Sequence, residues 1–242
     1  MILAVDAGNT RVKWAIHDGA AFVKEGWSAN AGLASLDVQW AALPVPSAIV
    51  IANVAGDEVA GALTALAARW PLKPHWASSR RSQCGVTNLY EHPEQLGVDR
   101  WAALVGARGL TSSACVVVIV GTAMTVNALS AQGEFLGGLI VPGLDLMQTA
   151  LATHTAKLQA QPGQFALFPR TTRDAVASGA LQALCGAVER MCAGMHAHGH
   201  VDPELIFSGG TGELVASRMG RPTRFADKLV LEGLVRIAKD VQ

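Results

Sequence analysis

The chain has 242 residues, half of them apolar, with 19 basic and 19 acidic side chains and a formal net charge of zero. That apolar content supports a substantial buried core and allows two domains of roughly 110 to 130 residues each. The neutral balance excludes a global electrostatic footprint for nucleic acid or an anionic membrane, and Arg80-Arg81 and Arg221-Pro222-Thr223-Arg224 are too short to alter it.

The chain opens directly on a strand-like run, without a basic segment, apolar region and cleavage site, so no signal peptide is expected. The longest apolar stretch, around Ala114 to Val120, is too short for a bilayer, and a cytoplasmic location is the expectation. Cys84, Cys115, Cys185 and Cys192 lack paired metal-ligand spacing and read as core thiols of a reducing compartment.

In Ile2 to Ile16, two β-branched, apolar runs flank Gly8-Asn9-Thr10, which predicts a hairpin with a polar loop at a strand end. Gly8 allows a phosphate to approach the main chain, Asn9 and Thr10 add donors, and Asp6 stands where a hydrated cation would sit beside that phosphate. A third strand is predicted at Phe22 to Ser28, a helix at Leu33 to Leu43, a buried strand at Ser47 to Val54, and an amphipathic helix at Asp57 to Trp70. This alternation indicates an α/β layered fold.

Residues 77 to 98 are polar and punctuated, which predicts a long irregular segment of the kind that carries function. It leads into Gly97-Val98-Asp99-Arg100-Trp101 and a helix from Ala102 to Gly109. Asp99 is placed to accept a proton from an attacking hydroxyl and Arg100 to pair with an anion. A helix N-terminal carboxylate with a surface ion pair accounts for the same two residues.

A second apolar, Gly-hydroxyl, apolar pattern spans Val116 to Leu129 around Gly121-Thr122. Superposing Gly121 on Gly8 sets Thr122 opposite Asn9 and Ile119 opposite Asp6. Two such units would bring two loops to face each other across a cleft, a phosphate clamp built by duplication. Gly133 to Gly143 then predicts a glycine-punctuated strand, Leu144 to Lys157 a helix, Gln159 to Pro169 a loop, and Thr171 to Ala197 a long capped helix. Leu205 to Glu213 predicts a last strand ending in a glycine-rich turn, a weak third nucleotide contact by itself. His196, His198 and His200 read as a solvated connection rather than a metal site, and most of the six Trp residues as core or interface.

The Asp-x-Gly-Asn-Thr hairpin, Tyr90 to Arg100, Gly121-Thr122-Ala123-Met124-Thr125, Gly137 to Gly143 and Ser208-Gly209-Gly210 occur in one order across essentially the whole chain. This ordered set resembles type III pantothenate kinase and the Bvg accessory factor proteins, of the acetate kinase, sugar kinase, Hsp70 and actin superfamily. The resemblance implies two duplicated ribonuclease H-like (actin-like ATPase) domains, assigned to residues 1–110 and 111–242, with a nucleotide cleft between them. It implies ATP-dependent phosphorylation of pantothenate to 4'-phosphopantothenate, the first step toward coenzyme A.

By position, Asp6, Ala7, Gly8, Asn9, Thr10, Arg11, Val12 and Lys13 would form the first ATP phosphate loop and Thr122 the facing one. Tyr90, Gly97, Val98, Asp99 and Arg100 would line the pantothenate site, with Asp99 as proton acceptor and Thr172 as a further contact. The resemblance also implies MgATP, with Asp6 near the metal, and a homodimer with its active site near the subunit interface. Many family members bind a monovalent cation, potassium or ammonium, through an aspartate three residues before the threonine of the second loop. Here that residue is Ile119, and Asn127 replaces another frequent aspartate. A regulatory accessory protein of the same fold, or a kinase of another small alcohol, remain the alternative readings.

Overall fold

The computed structural model describes residues 1–155 and 161–241. In chain order, the elements are β1 (Ile2–Ala7), β2 (Arg11–His17), β3 (Phe22–Ala29), α1 (Ser35–Ala41), β4 (Ala48–Asn53), α2 (Asp57–Ala67), β5 (His75–Trp76), β6 (Ser82–Gln83), β7 (Val86–Asn88) and α3 (Val98–Arg108). There follow β8 (Cys115–Val120), β9 (Ala123–Leu129), β10 (Glu134–Pro142), α4 (Leu144–His154), α5 (Thr172–Ala197), β11 (Glu204–Ser208), α6 (Gly212–Ala216), β12 (Thr223–Phe225) and α7 (Leu229–Asp240).

The chain forms two compact units. Unit 1 comprises Met1–Ser112, Gly133–Phe135 and the chain from Lys228 onward; unit 2 comprises Ser113–Gln132 and Leu136–Asp227. In unit 1 the sheet order is β3-β2-β1-β4-β5, with β1 antiparallel to β2 and parallel to β4. In unit 2 the order β10-β9-β8-β11-β12 repeats the plan, with β8 antiparallel to β9 and parallel to β11. The duplication expected from two loop motifs thus extends to the order of five strands.

Alternation along the first hairpin decides which side chains reach the core. Leu3, Val5, Ala7, Val12, Trp14 and Ile16 point to one face and pack with Leu36, Trp40 and Leu63. Asp6, with Ile2 and Ala4, belongs to the opposite face of β1. α7 packs on β1 and β4, and α3 packs closely on α7. Two glycines permit that approach: a Cβ on Gly233 would lie 1.8 Å from the Ala102 carbonyl oxygen, and one on Gly106 2.3 Å from that of Leu229. In unit 2, Val116, Val118, Met124 and Val126 of the hairpin pack with Leu184, Val188 and Phe207.

Several expectations change. The segment predicted as irregular contains the β6–β7 hairpin, turning through Cys84 and Gly85 at φ 51° and 76°. Cys84 is therefore a half-buried turn residue, not a core thiol; Cys115 and Cys185 are buried, and none of the four cysteines is in a disulfide. α3 begins at Val98, one turn earlier than the sequence pattern indicates, so Asp99 and Arg100 lie in its first turn. Trp14, Trp40, Trp70 and Trp101 are buried, whereas Trp27 and Trp76 are exposed. His196 and His198 are exposed at the end of α5 and just past it. α6, β12 and α7 add to the elements expected from sequence. The expected end of α4 at Lys157 and the loop start at Gln159 lie outside the described residues.

Candidate active site

The β1–β2 loop of unit 1 is a tight reversal closed by the Gly8 N–H donating to the Arg11 carbonyl at 3.0 Å. Its carbonyls are held from β3's end. The Asn30 N–H donates to Thr10 O at 3.1 Å, and Asn30 Nδ2 donates to Gly8 O and Asn9 O, both at 2.9 Å. Asn9, Thr10, Arg11 and Lys13 are exposed, whereas Ala7 and Val12 are buried anchors. The Arg11 guanidinium lies 4.8 Å from the Trp27 ring centroid, which restrains it at the loop's edge.

Asp6 pairs in register with Lys13. Its carboxyl is pushed from 3.8 up to about 7, chiefly by burial and then by the neighbouring Asp99 carboxylate, with Lys13 opposing both. Two carboxylates thus stand close enough in unit 1 to repel. A carboxylate whose charge is disfavoured in this way suits a cation, although no group of three His, Cys, Asp or Glu side chains able to hold a metal occurs among the described residues.

Asp99 is half-buried in the first turn of α3, with Oδ1 accepting the Arg100 N–H at 2.8 Å. The carboxylate occupies the space beside Gly97, where a Cβ would lie 2.7 Å from Oδ1. The helix-terminal role left open by the sequence is therefore real, and it fixes where the carboxylate sits. Arg100, in contrast, is not a surface residue: it is 5% exposed. Its guanidinium lies against both the Tyr90 and Phe135 rings, 5.9 and 5.7 Å from their centroids, the rings themselves being 5.2 Å apart, and Nη1 donates to Tyr90 Oη at 3.2 Å. Val98 completes the half-buried turn.

Sequence reading misses what holds Tyr90. Arg81 Nη1 donates to Asn88 O and Tyr90 O, and Nη2 to Glu91 O. The fully buried Asn88 accepts the Tyr90 N–H through Oδ1 and donates to Pro93 O. Asn30 escapes notice for the same reason. Each acts on main-chain carbonyls, which leave no side-chain motif; only their positions beside a strand end and a turn could have flagged them.

In unit 2, Thr122 is exposed on the β8–β9 loop, and its carbonyl accepts the Gly143 N–H at 2.8 Å. The Gly121 N–H donates to Ala123 O at 3.0 Å, as Gly8 does in unit 1. Gly209, at φ 93°, packs so closely that a Cβ would lie 2.4 Å from Val120 O. Ile119 is half-buried between Thr125 of β9 and Ser208 of β11 in register. Asn127 is fully buried and donates to Val117 O and Thr125 Oγ1. Thr172 is exposed at the start of α5, where Thr171 caps the helix by accepting the Asp174 N–H.

Known proteins resemble this chain along nearly all of its length. A family model described as type III pantothenate kinase matches residues 2–194. A type III pantothenate kinase from Nitrosospira multiformis is 47% identical over 241 residues, covering 99% of this chain and 92% of the relative. One from Nitrosomonas eutropha is 47% identical over 242 residues, covering 98% and 94%. Among solved structures, a Campylobacter jejuni protein described as a Baf family transcriptional activator aligns over 99% of this chain and 98% of its own, with a TM-score of 0.65 and 20% identity. That likeness speaks to fold, which is the duplicated α/β fold of the actin-like ATPases. On the family match and the identity across its whole length, this chain belongs to the type III pantothenate kinase family.

Proposed function

We propose that this chain transfers the γ-phosphoryl group of ATP to the primary hydroxyl of pantothenate, giving 4'-phosphopantothenate and ADP. The observation that carries the reading is the pair of neighbouring carboxylates in unit 1, Asp6 at the end of β1 and Asp99 at the start of α3. Phosphoryl transfer needs alignment and charge stabilisation more than covalent chemistry, and these residues divide that work.

Asp99 accepts the proton of the attacking hydroxyl, and the hydroxyl oxygen then bonds to phosphorus as the bond to the ADP oxygen breaks. Tyr90 and Arg100 bind pantothenate with Gly97, Val98 and Thr172, and the guanidinium suits its carboxylate. Residues 6–13 and Thr122 bind the phosphates of ATP. Mg2+, when bound with ATP, neutralises phosphate charge; the desolvated Asp6 beside Asp99 fits a metal-bound water or the ion itself. The Ile119 side chain offers no oxygen, so a monovalent cation would depend on backbone carbonyls.

The chain works as a homodimer in the cytoplasm. α4 has no buried residue, and Leu139, Ile140, Leu146 and Leu151 on it and β10 are exposed, which supports an apolar surface for a second copy. Sedimentation at micromolar concentration would return a single protomer mass if this is wrong. No helix among the described residues is long and apolar enough to cross a membrane.

The kinase reading is tested by ADP release from MgATP with and without pantothenate. Release that requires pantothenate is expected, and Asp99→Asn should lower turnover by about 100-fold or more while leaving pantothenate binding intact. Folded protein that releases no ADP with pantothenate overturns the reading.

A further inference from the structure

We propose that Asn30 is the positioning residue of the nucleotide loop, holding the Asn9 and Thr10 main-chain N–H groups toward the ATP phosphates; this rests on the kinase reading above. Asn30 lies outside the Asp6–Lys13 motif, in the single 3-10 turn that follows β3. It makes three hydrogen bonds to three consecutive loop carbonyls, those of Gly8, Asn9 and Thr10.

Peptide geometry makes that grip directional. Every described peptide bond is trans. In a trans peptide the carbonyl of one residue and the N–H of the next point in opposite directions. Drawing the Gly8 and Asn9 carbonyls toward Asn30 therefore turns the Asn9 and Thr10 N–H groups away from it. Successive main-chain N–H groups aimed to one side form a concavity suited to phosphate oxygens.

The amide orientation is forced. Reversing it would set Oδ1 against two carbonyl oxygens, so Nδ2 must face the loop. The consequence is visible at the other end: Asn30 Oδ1 is buried with no hydrogen-bond partner. A buried acceptor left unsatisfied is costly, and the side chain keeps this arrangement because both donors are engaged by the loop.

A further set of polar contacts holds the turn that carries Asn30. Ser28 Oγ donates to Gly32 O at 2.8 Å, and Ser35 Oγ donates to Ser28 Oγ at 2.9 Å. Gln39 links α1 to both strands by accepting from Trp14 Nε1 at 2.9 Å and donating to Trp27 O at 3.3 Å. Gly26 leaves room for this, since a Cβ there would lie 2.7 Å from Gln39 Oε1. Asn30 is thus fixed before any nucleotide arrives, so binding orders the loop at little entropic cost.

The test compares the full chain with Asn30→Asp, which keeps the shape but removes both side-chain donors, and Asn30→Ser, which keeps one short donor. Binding of Mg-AMPPNP is measured by calorimetry without pantothenate, alongside urea unfolding midpoints and the KM for each substrate. Loss of two hydrogen bonds should weaken AMPPNP binding by about tenfold or more in Asn30→Asp, with a smaller loss in Asn30→Ser. The KM for ATP should rise in step while that for pantothenate stays at the parent value.

Parent-like AMPPNP affinity in both variants overturns the proposal and leaves the kinase reading standing. So does equal weakening toward ATP and pantothenate, the mark of a general structural lesion. If Asn30→Asp does not fold, Asn30→Ser carries the comparison with the same criteria. A parent that binds AMPPNP but does not phosphorylate pantothenate removes the substrate assignment and leaves Asn30 judged on nucleotide affinity. A parent with no affinity for AMPPNP removes both.

Discussion

The β1–β2 loop of unit 1 and the β8–β9 loop of unit 2 share a topology and a first hydrogen bond, Gly8 N–H to Arg11 O and Gly121 N–H to Ala123 O. They differ in what holds them and in the charge they carry. In unit 1 a side chain, Asn30, grips the loop carbonyls, and an acid, Asp6, ends the first strand. In unit 2 main chain grips main chain through Gly143 and Gly209, and the position matching Asp6 is the apolar Ile119. One loop carries the charged chemistry, while the other is a tightly packed backbone surface. A side-chain clamp tolerates graded substitution; a clamp made by the absence of a Cβ does not.

The largest effect should therefore come from Gly143→Ala. Its Cβ would lie 2.1 Å from Gly121 O and 2.8 Å from Thr122 O, both main-chain atoms with no rotamer to escape into. Overpacking of this kind costs about 3 kcal/mol, and displacing Thr122 by an ångström should lower turnover about 100-fold. Urea unfolding and MgATP turnover measured on the same preparation would check this. A Gly143→Ala enzyme with parental midpoint and rate would show that the unit 2 loop is not held by this contact.

That clamp also marks the limit of what the sequence discloses. Both hairpins are legible because β-branched runs flank a glycine and a hydroxyl or amide residue, a local signal. The roles of Gly143 and Gly209 are not, because a glycine-rich turn after a strand is common and only the third dimension shows which carbonyl it meets. The packing of α7 on unit 1 is equally hidden: Leu229, Leu234 and Ile237 give an amphipathic pattern, but nothing local says that Gly233 will seat against Ala102. Asp99 and Arg100 stand out as an acid and a base at a helix start. Their divergence, one against the helix terminus and the other against the paired rings of Tyr90 and Phe135, depends on residues brought in from elsewhere.

Asp6→Asn tests the charged side of the comparison, with opposite effects on function and stability. Removing the carboxylate should lower turnover about 100-fold. The stability effect has a definite sign. The folded-state pKa of about 7 lies above the ordinary 3.8, so between those values the folded chain holds a proton that the unfolded chain has released. Parent stability contributed by this group is thus present below the ordinary value of 3.8 and lost as pH rises to about 7. The substituted amide does not titrate, so Asp6→Asn should be the more stable protein at about pH 8, with the difference vanishing near about pH 4. Urea midpoints at the two pH values suffice; a gap that widens toward low pH would contradict the desolvation of Asp6.

The smallest effect is expected from giving unit 2 the acid it lacks. Ile119→Asp would set a carboxylate between Thr125 and Ser208, two hydroxyl side chains on the flanking strands in register with residue 119. Since Ile119 is half-buried, the charge should cost about 1 kcal/mol in sodium alone. A cation that binds the folded state and not the unfolded one returns stability in proportion to its occupancy. Potassium should therefore raise the unfolding midpoint of Ile119→Asp more than sodium does at equal ionic strength, and should leave the parent's midpoint unchanged relative to sodium. Turnover should follow the same pattern, with the parent indifferent to the monovalent ion and the variant favouring potassium. A parent that already depends strongly on potassium would mean that the main-chain carbonyls of the β8–β9 loop suffice without any acid. The charge asymmetry between the two loops would then have no bearing on cation use.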